Sequence, residues 1–239
     1  MGGGNSGSDR TWDDGSEHVL PRDSDEPLVL QRAAPRAIEW AAERLASGGV
    51  IALPTDTVYG IAASLAHAAA IRRIYDVKRR PHDRPLPVLV SSTDALLRIA
   101  SVDEHVAYLL DQFWPGPLTV VVAARAGMPD GVLGADGTVA VRMPNHPLAI
   151  EVIEKAGGAV ACTSANFTGE PPATTTAEVV ASVGPALDLI LDGGRAPGGI
   201  PSTVIAVTGR EIVVLRDGAI AGVDVCRAWE TICAAHPAK

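Results

Sequence analysis

Short apolar runs rich in Val, Ile and Leu recur along this chain, and stretches with helical spacing of apolar residues stand between several of them. That alternation constrains the fold more than any other feature. A run of a few β-branched or aliphatic residues bounded by turn formers suits a buried strand, and a 3.6-residue apolar stripe suits a helix packed on one face. The strand candidates are residues 50–53, 86–90, 118–123, 138–141, 159–163, 189–191, 203–207 and 212–215. Pro35 sits where a first helical turn tolerates it, and Ile38, Trp40, Ala41 and Leu45 form a stripe that Gly48-Gly49 ends. Ile71, Ile74 and Tyr75 mark a second helix ending near Lys78. Further helices are expected over 101–113, 147–156, 176–183 and 223–235. Strands that alternate with helices in one part and follow one another in another predict an α/β domain with a mixed sheet.

Composition narrows the class. The 239 residues suffice for one large domain or two small ones, and hydrophobic residues make up 47%. Aromatics are only 4%, so the core must be aliphatic. No stretch approaches the roughly 20 apolar residues of a membrane span, and the start lacks a secretory pattern. Cys162, Cys226 and Cys233 show no C-x-x-C spacing, which argues against a zinc site or disulfide framework. These features predict a soluble cytoplasmic protein without a membrane partner. Net charge is −8, and residues 1–27 carry seven acidic side chains against Arg10 and Arg22. The reading is an acidic, disordered tail at 1–27, a folded domain at 28–225 and a helical tail at 226–239. The near-neutral folded part lacks the basic balance of a duplex-DNA binder.

The segments between the elements carry the chemistry. Five begin at the end of a candidate strand or helix: Pro54–Gly60, Lys78–Pro81, Arg142–Pro147, Thr163–Gly169 and Pro201–Thr203. In open α/β sheets ligands bind where strand ends meet loops. Lys78-x-Arg80 reads either as a solvated helix end complementing the dipole or as a pair of cations aimed at a phosphate chain, because Pro81 fixes the exit. Thr138, Ala140 and Arg142 share one strand face, so Arg142 is either a surface arginine or a planar fork for a carboxylate or phosphate. Ser164-Ala165-Asn166 makes a turn or contacts a nucleotide. Asp56, between Thr55 and Thr57, is a candidate base or Mg²⁺ ligand. His82, His105 and His146 read as surface or loop residues. Gly193-Gly194 and Gly198-Gly199 suggest a mobile loop. No P-loop, dinucleotide fingerprint, H-E-x-x-H or G-x-S-x-G motif is present.

The order of the motifs is more specific than any one of them. L-P-T-D-T-V-Y-G, K-x-R-P-x-x-x-P-L, F-W-P-G-P-L-T, T-V-A-V-R-M-P-x-H-P, T-S-A-N-x-T-G, P-S-T-V and L-R-D-G follow one another between Ala34 and Ile220. In that order they resemble the YrdC/Sua5 family, the threonylcarbamoyl-AMP synthases, in the short form without the extra Sua5 domain. The resemblance implies a YrdC-like twisted mixed sheet flanked by helices, with a concave basic cleft. It implies an ATP-dependent nucleotidyltransferase that makes threonylcarbamoyl-AMP and pyrophosphate from L-threonine, bicarbonate and ATP, for the threonylcarbamoyladenosine modification of tRNA. Thr57, Arg142 and Ser202 match threonine-binding positions. Lys78, Arg80, Thr138, Ser164, Asn166 and Arg216 match positions around ATP, with Lys78 and Arg80 as the catalytic cations.

Mg²⁺ is expected on the phosphates, largely water-coordinated, with no dedicated metal residues in the protein. tRNA and proteins that transfer the threonylcarbamoyl group are the implied partners. The family often reads N-P-L-x-x-H after K-x-R-P, whereas Arg84 precedes Pro85-Leu86 here and Leu89 stands at the His position, so any role of that Asn or His falls to neighbours. Two rivals remain: a non-catalytic RNA-binding module using the same cleft, and a carbamoyl-transfer domain of the hydrogenase-maturation type.

Overall fold

The computed structural model describes residues 27–237 except 33 and 35. All but residue 27 of the tail expected at 1–27, and the expected helix-opening Pro35, lie outside the described residues. The elements run β1 (Leu28–Gln31), α1 (Ala37–Ala46), β2 (Val50–Leu53), β3 (Gly60–Ser64), α2 (Ala68–Lys78), β4 (Val88–Val90), α3 (Thr93–Ile99), β5 (Ala100–Ser101), α4 (Glu104–Phe113) and β6 (Leu118–Ala124). They continue with β7 (Thr138–Arg142), α5 (Pro147–Lys155), β8 (Ala159–Ser164), α6 (Thr176–Ser182), β9 (Leu189–Asp192), β10 (Thr203–Thr208), β11 (Glu211–Arg216) and α7 (Gly222–Ala235). All strands join one mixed sheet in the order β1-β9-β2-β3-β8-β4-β7-β6-β10-β11, with β5 pairing β6 at its side.

Side chains alternate between the two faces of this sheet, and each face has its own core. One face presents Val50, Ala52, Ile61, Val88, Leu118, Val120, Val139, Val141, Ala161, Ile190 and Ile205 to α2, α3, α4, α6 and α7. The other presents Ile51, Leu53, Ala62, Leu89, Val160, Cys162, Leu189 and Leu191 to α1 and α5. Arg142 belongs to this second face, in register beside Leu89. Beyond Arg142 the same face carries Val121, Val204, Ala206, Val213 and Leu215 and is covered by neither helix: Val213 and Leu215 are 54% and 57% exposed.

Several boundaries differ from the sequence-based expectations for physical reasons. The helix expected from 101 begins at Glu104, because Asp103 caps it by accepting from the Val106 N–H at 2.9 Å. Ala100 and Ser101 are instead paired with Ala124 and Ala123. The strand expected at 86–90 begins at Val88, after Pro87, which has no N–H for a ladder. β1, β3 and α3 were not anticipated; β3 is built of Gly60, Ile61, Ala62, Ala63 and Ser64, whose small residues give little β signal. The boundary expected at 225/226 falls inside α7, which buries Val225, Trp229 and Ile232 in the main core.

Candidate functional site

The turn after β2 is built by one hydroxyl. Thr55 Oγ1 donates to the Val58 carbonyl at 2.7 Å and accepts from the Thr57 and Val58 N–H groups, so Pro54–Tyr59 is a fixed turn. Arg142, at the end of β7, reaches into it. Its guanidinium donates to Gly116 O at 3.0 Å and Thr57 Oγ1 at 3.1 Å, and pairs closely with Asp56. Arg142 is 6% exposed. Burial pushes its pKa below the ordinary value while Asp56 opposes that shift. Gly116 has to be glycine here, since a side chain would run into the Phe113 carbonyl. Arg142 is therefore not a surface arginine, one of its two readings. Asp56, a candidate base or metal ligand, is engaged as the partner of Arg142.

Ser202 lies on the neighbouring strand entry. Its hydroxyl is 2.8 Å from Thr119 Oγ1, and its carbonyl accepts from Arg216 at 2.6 and 3.2 Å. The pKa of Arg216 is lowered by burial and then by the charges of Arg142 and Arg80. Thr57, Arg142, Ser202 and Arg216 are therefore brought together from four separate motifs.

Lys78 ends α2 and is 2% exposed. Its ammonium donates to Ser164 O at 2.5 Å, Asn166 O at 2.7 Å and Asn166 Oδ1 at 3.2 Å. Asn166 in turn donates to the Phe167 and Glu170 carbonyls. Burial, and then Arg80, brings the Lys78 pKa down to about 8. Arg80 is held elsewhere, by the Arg84 and Pro85 carbonyls at 2.9 and 3.0 Å. The expected joint aim of Lys78 and Arg80 is thus replaced by two different anchorages, because Arg79 takes a left-handed conformation between them (φ 52°) and redirects the chain. Thr138 stands apart: its hydroxyl donates to Asp136 at 2.6 Å and to none of the other candidates.

Among the departures from the family pattern, Leu89 is buried beside Arg142 and contributes packing, while Arg84 contributes its carbonyl to Arg80 and Tyr75. His146 is half-buried as the cap of α5, accepting from the Ala149 N–H, and burial lowers its pKa. His105 bonds the His236 carbonyl at 2.7 Å, and His82 stacks on Tyr75. Sequence reasoning missed the roles of Asp56, Gly116, Thr119 and Tyr59, although each stands inside a quoted motif. Among the described residues, no group of three or more His, Cys, Asp or Glu could hold a metal ion. No helix among them is long and apolar enough to cross a membrane.

A buried arginine fork, hydroxyls from separate loops and a lysine-held turn thus gather where the strands of a mixed α/β sheet meet their loops. Residues 43–218 match the model of the Sua5/YciO/YrdC family, described as "Telomere recombination". The chain is 37% identical over 193 residues to the threonylcarbamoyl-AMP synthase of Pyrococcus abyssi, covering 80% of this chain and 57% of that protein. It is also 37% identical over 186 residues to the Bacillus subtilis enzyme of the same name, covering 77% of this chain and 54% of that one. The chain therefore spans little more than half the length of these two relatives. Its fold superposes on the crystal structure of P. abyssi Sua5 complexed with L-threonine with a TM-score of 0.79, at 34% identity, over 84% of this chain and 60% of that one. This chain belongs to the Sua5/YciO/YrdC family.

Proposed function

We propose that this chain is an L-threonylcarbamoyladenylate synthase, forming threonylcarbamoyl-AMP and pyrophosphate from L-threonine, bicarbonate and ATP. The observation that carries this reading is the buried Arg142 guanidinium. It has five N–H donors. Three are used, on Gly116 O, Thr57 Oγ1 and Asp56, which leaves one on each terminal nitrogen for a substrate carboxylate. Thr57 and Ser202 offer hydroxyls beside it, and the names of the relatives and the threonine-bound neighbour support the same ligand.

The chemistry asks little of a general base. Threonine's amine and bicarbonate give a carbamate with loss of water, and its anionic oxygen attacks the α-phosphorus of ATP, forming the P–O bond as the bond to pyrophosphate breaks. Positioning and charge neutralisation supply most of the acceleration. Arg80 and Arg216 face the phosphates in this reading, with Thr138 at the rim, and the cleft they line is the basic one the resemblance implies. Lys78 acts through the loop it holds, presenting Ser164 and Asn166 to the nucleotide. Mg²⁺ enters with the ATP phosphates, mostly water-coordinated, and Asp56 is already paired with Arg142. The adenylate is reactive and would pass, in the cytoplasm, to a protein that transfers the threonylcarbamoyl group to tRNA.

The test is pyrophosphate release from ATP. It should require threonine and bicarbonate together. Equal release from ATP alone would mark a nucleotide pyrophosphatase, and strongly salt-dependent RNA binding without turnover would favour the RNA-binding module instead.

A further inference from the structure

The Gly-rich segment that the sequence suggests is mobile is tethered in the structure along its whole length. Its start is fixed by Tyr59, which has no exposed surface. The Tyr59 hydroxyl donates to Gly194 O at 2.6 Å and accepts from the Gly193 N–H at 3.3 Å; Thr176 Oγ1 lies 3.2 Å away. Asp192 completes this corner by accepting from the Gly194 N–H at 2.9 Å. Further on, the Ala196 N–H donates to Thr174 O and the Gly199 N–H donates to Thr57 O, both at 2.8 Å. Gly198 lies so close to the Pro54–Tyr59 turn that an added Cβ would sit 3.1 Å from Asp56 O, Thr57 Cα and Thr57 O. The segment then delivers Ser202 to Thr119.

We propose that Tyr59 is a positioning residue for threonine, acting through residues 193–201, which form a backbone-built wall joining Thr57 to Ser202. This rests on the threonine reading of Thr57, Arg142 and Ser202. The contacts of the segment with Thr57 are made by backbone atoms alone. Its middle is held on Thr174 by the Ala196 N–H and by the Arg195 guanidinium at 2.9 Å, and its start by the Tyr59 hydroxyl. A buried phenol suits this role, because it has one proton to donate and burial raises its pKa, so the proton stays in place over the physiological range. Tyr59 also receives the Ala165 N–H on its carbonyl at 2.8 Å, yet that contact is made by the backbone and survives removal of the hydroxyl. The side chain therefore serves the threonine wall, while the backbone serves the Ser164–Asn166 loop.

Tyr59→Phe keeps the ring in the core and leaves Gly194 O and the Gly193 N–H without their partner. Two readouts test the proposal on the full chain. The threonine KM should rise about tenfold, while kcat and the ATP KM stay within about twofold. Trypsin should cleave after the exposed Arg195 about tenfold faster than in the parent. Gly198→Ala, which pushes on the wall from its middle and leaves the phenol intact, should show the same split between threonine and ATP. Equal changes in the threonine and ATP constants would overturn the proposal, as would faster cleavage with an unchanged threonine KM. A parent that cleaves normally but shows no threonine-dependent release of pyrophosphate removes the proposed function, and the threonine role of Tyr59 with it; the cleavage rates then still report whether the phenol pins the segment.

Discussion

The sheet face that carries Arg142 has two halves of similar composition and opposite fate. On one side Ile51, Leu53, Val160, Leu189 and Leu191 are shut under α1 and α5. On the other, Val121, Val204, Ala206, Val213 and Leu215 point the same way and have neither helix over them. Hydrophobicity does not separate them, since both sets are aliphatic. Connectivity does: β6, β10 and β11 are followed by segments that stay on the other face or turn back as hairpins. Arg142 stands at the seam. A cation there has low-dielectric neighbours on the covered side, which strengthen its interactions. The contrast teaches that the place of Arg142, and with it the proposed binding position, is set by where the covering helices stop.

The comparison can be broken or sharpened by substitution. Removing the seam cation should have the largest effect. Arg142→Ala leaves the partly buried Asp56 without its partner, and urea denaturation should show a loss of about 3 kcal/mol; a loss below about 1 kcal/mol would make Arg142 an ordinary surface residue. Arg142→Lys keeps a charge but not the planar fork, so threonine binding should weaken by about 2 kcal/mol, with ATP affected much less. Within the covered half, Leu191→Ala opens a cavity among residues with no exposure and should cost about 3 kcal/mol.

A pH titration probes the lysine beneath the adjacent loop. Lys78 has its pKa lowered from 10.5 to about 8 in the folded chain, by burial and then by Arg80. Between those values the unfolded chain binds the proton and the folded one does not, so stability due to this group rises with pH across that window. Compared with Lys78→Met, the parent should therefore gain on the order of 3 kcal/mol from pH 8 to 10.5. Parallel curves for the two proteins would show that Lys78 titrates normally. The smallest effect belongs to the bare half: Leu215→Ser should shift stability by no more than about 0.5 kcal/mol, and a large loss would mean that this face is covered after all.

Much of this arrangement was legible in the sequence. Short apolar runs located β2, β6, β7, β8, β9, β10 and β11, and Gly48-Gly49 and Pro147 punctuated helices where the structure has them. The motif order pointed to Thr57, Lys78, Arg142, Asn166 and Ser202, and the structure finds each of these five buried and hydrogen-bonded. β3 was invisible because Gly60, Ala62 and Ala63 carry no β-branched signature; it is a strand because β2 and β8 supply a ladder on both sides. The Gly193–Gly199 loop looked mobile for the same reason, since the partners that restrain it, Tyr59, Thr57 and Thr174, stand far from it in sequence.

The sequence by itself determined which residues alternate between two cores and which polar residues stand at element ends. These are properties of neighbours a few positions apart, set by local periodicity and turn chemistry. Only the tertiary structure decided that Asp56 neutralises Arg142 across 86 positions, that Lys78 holds the Ser164–Asn166 loop, and that α1 and α5 leave half of one face bare. Such pairings depend on strand order and register, which are fixed by the summed burial of the whole sheet and cannot be read from any one segment.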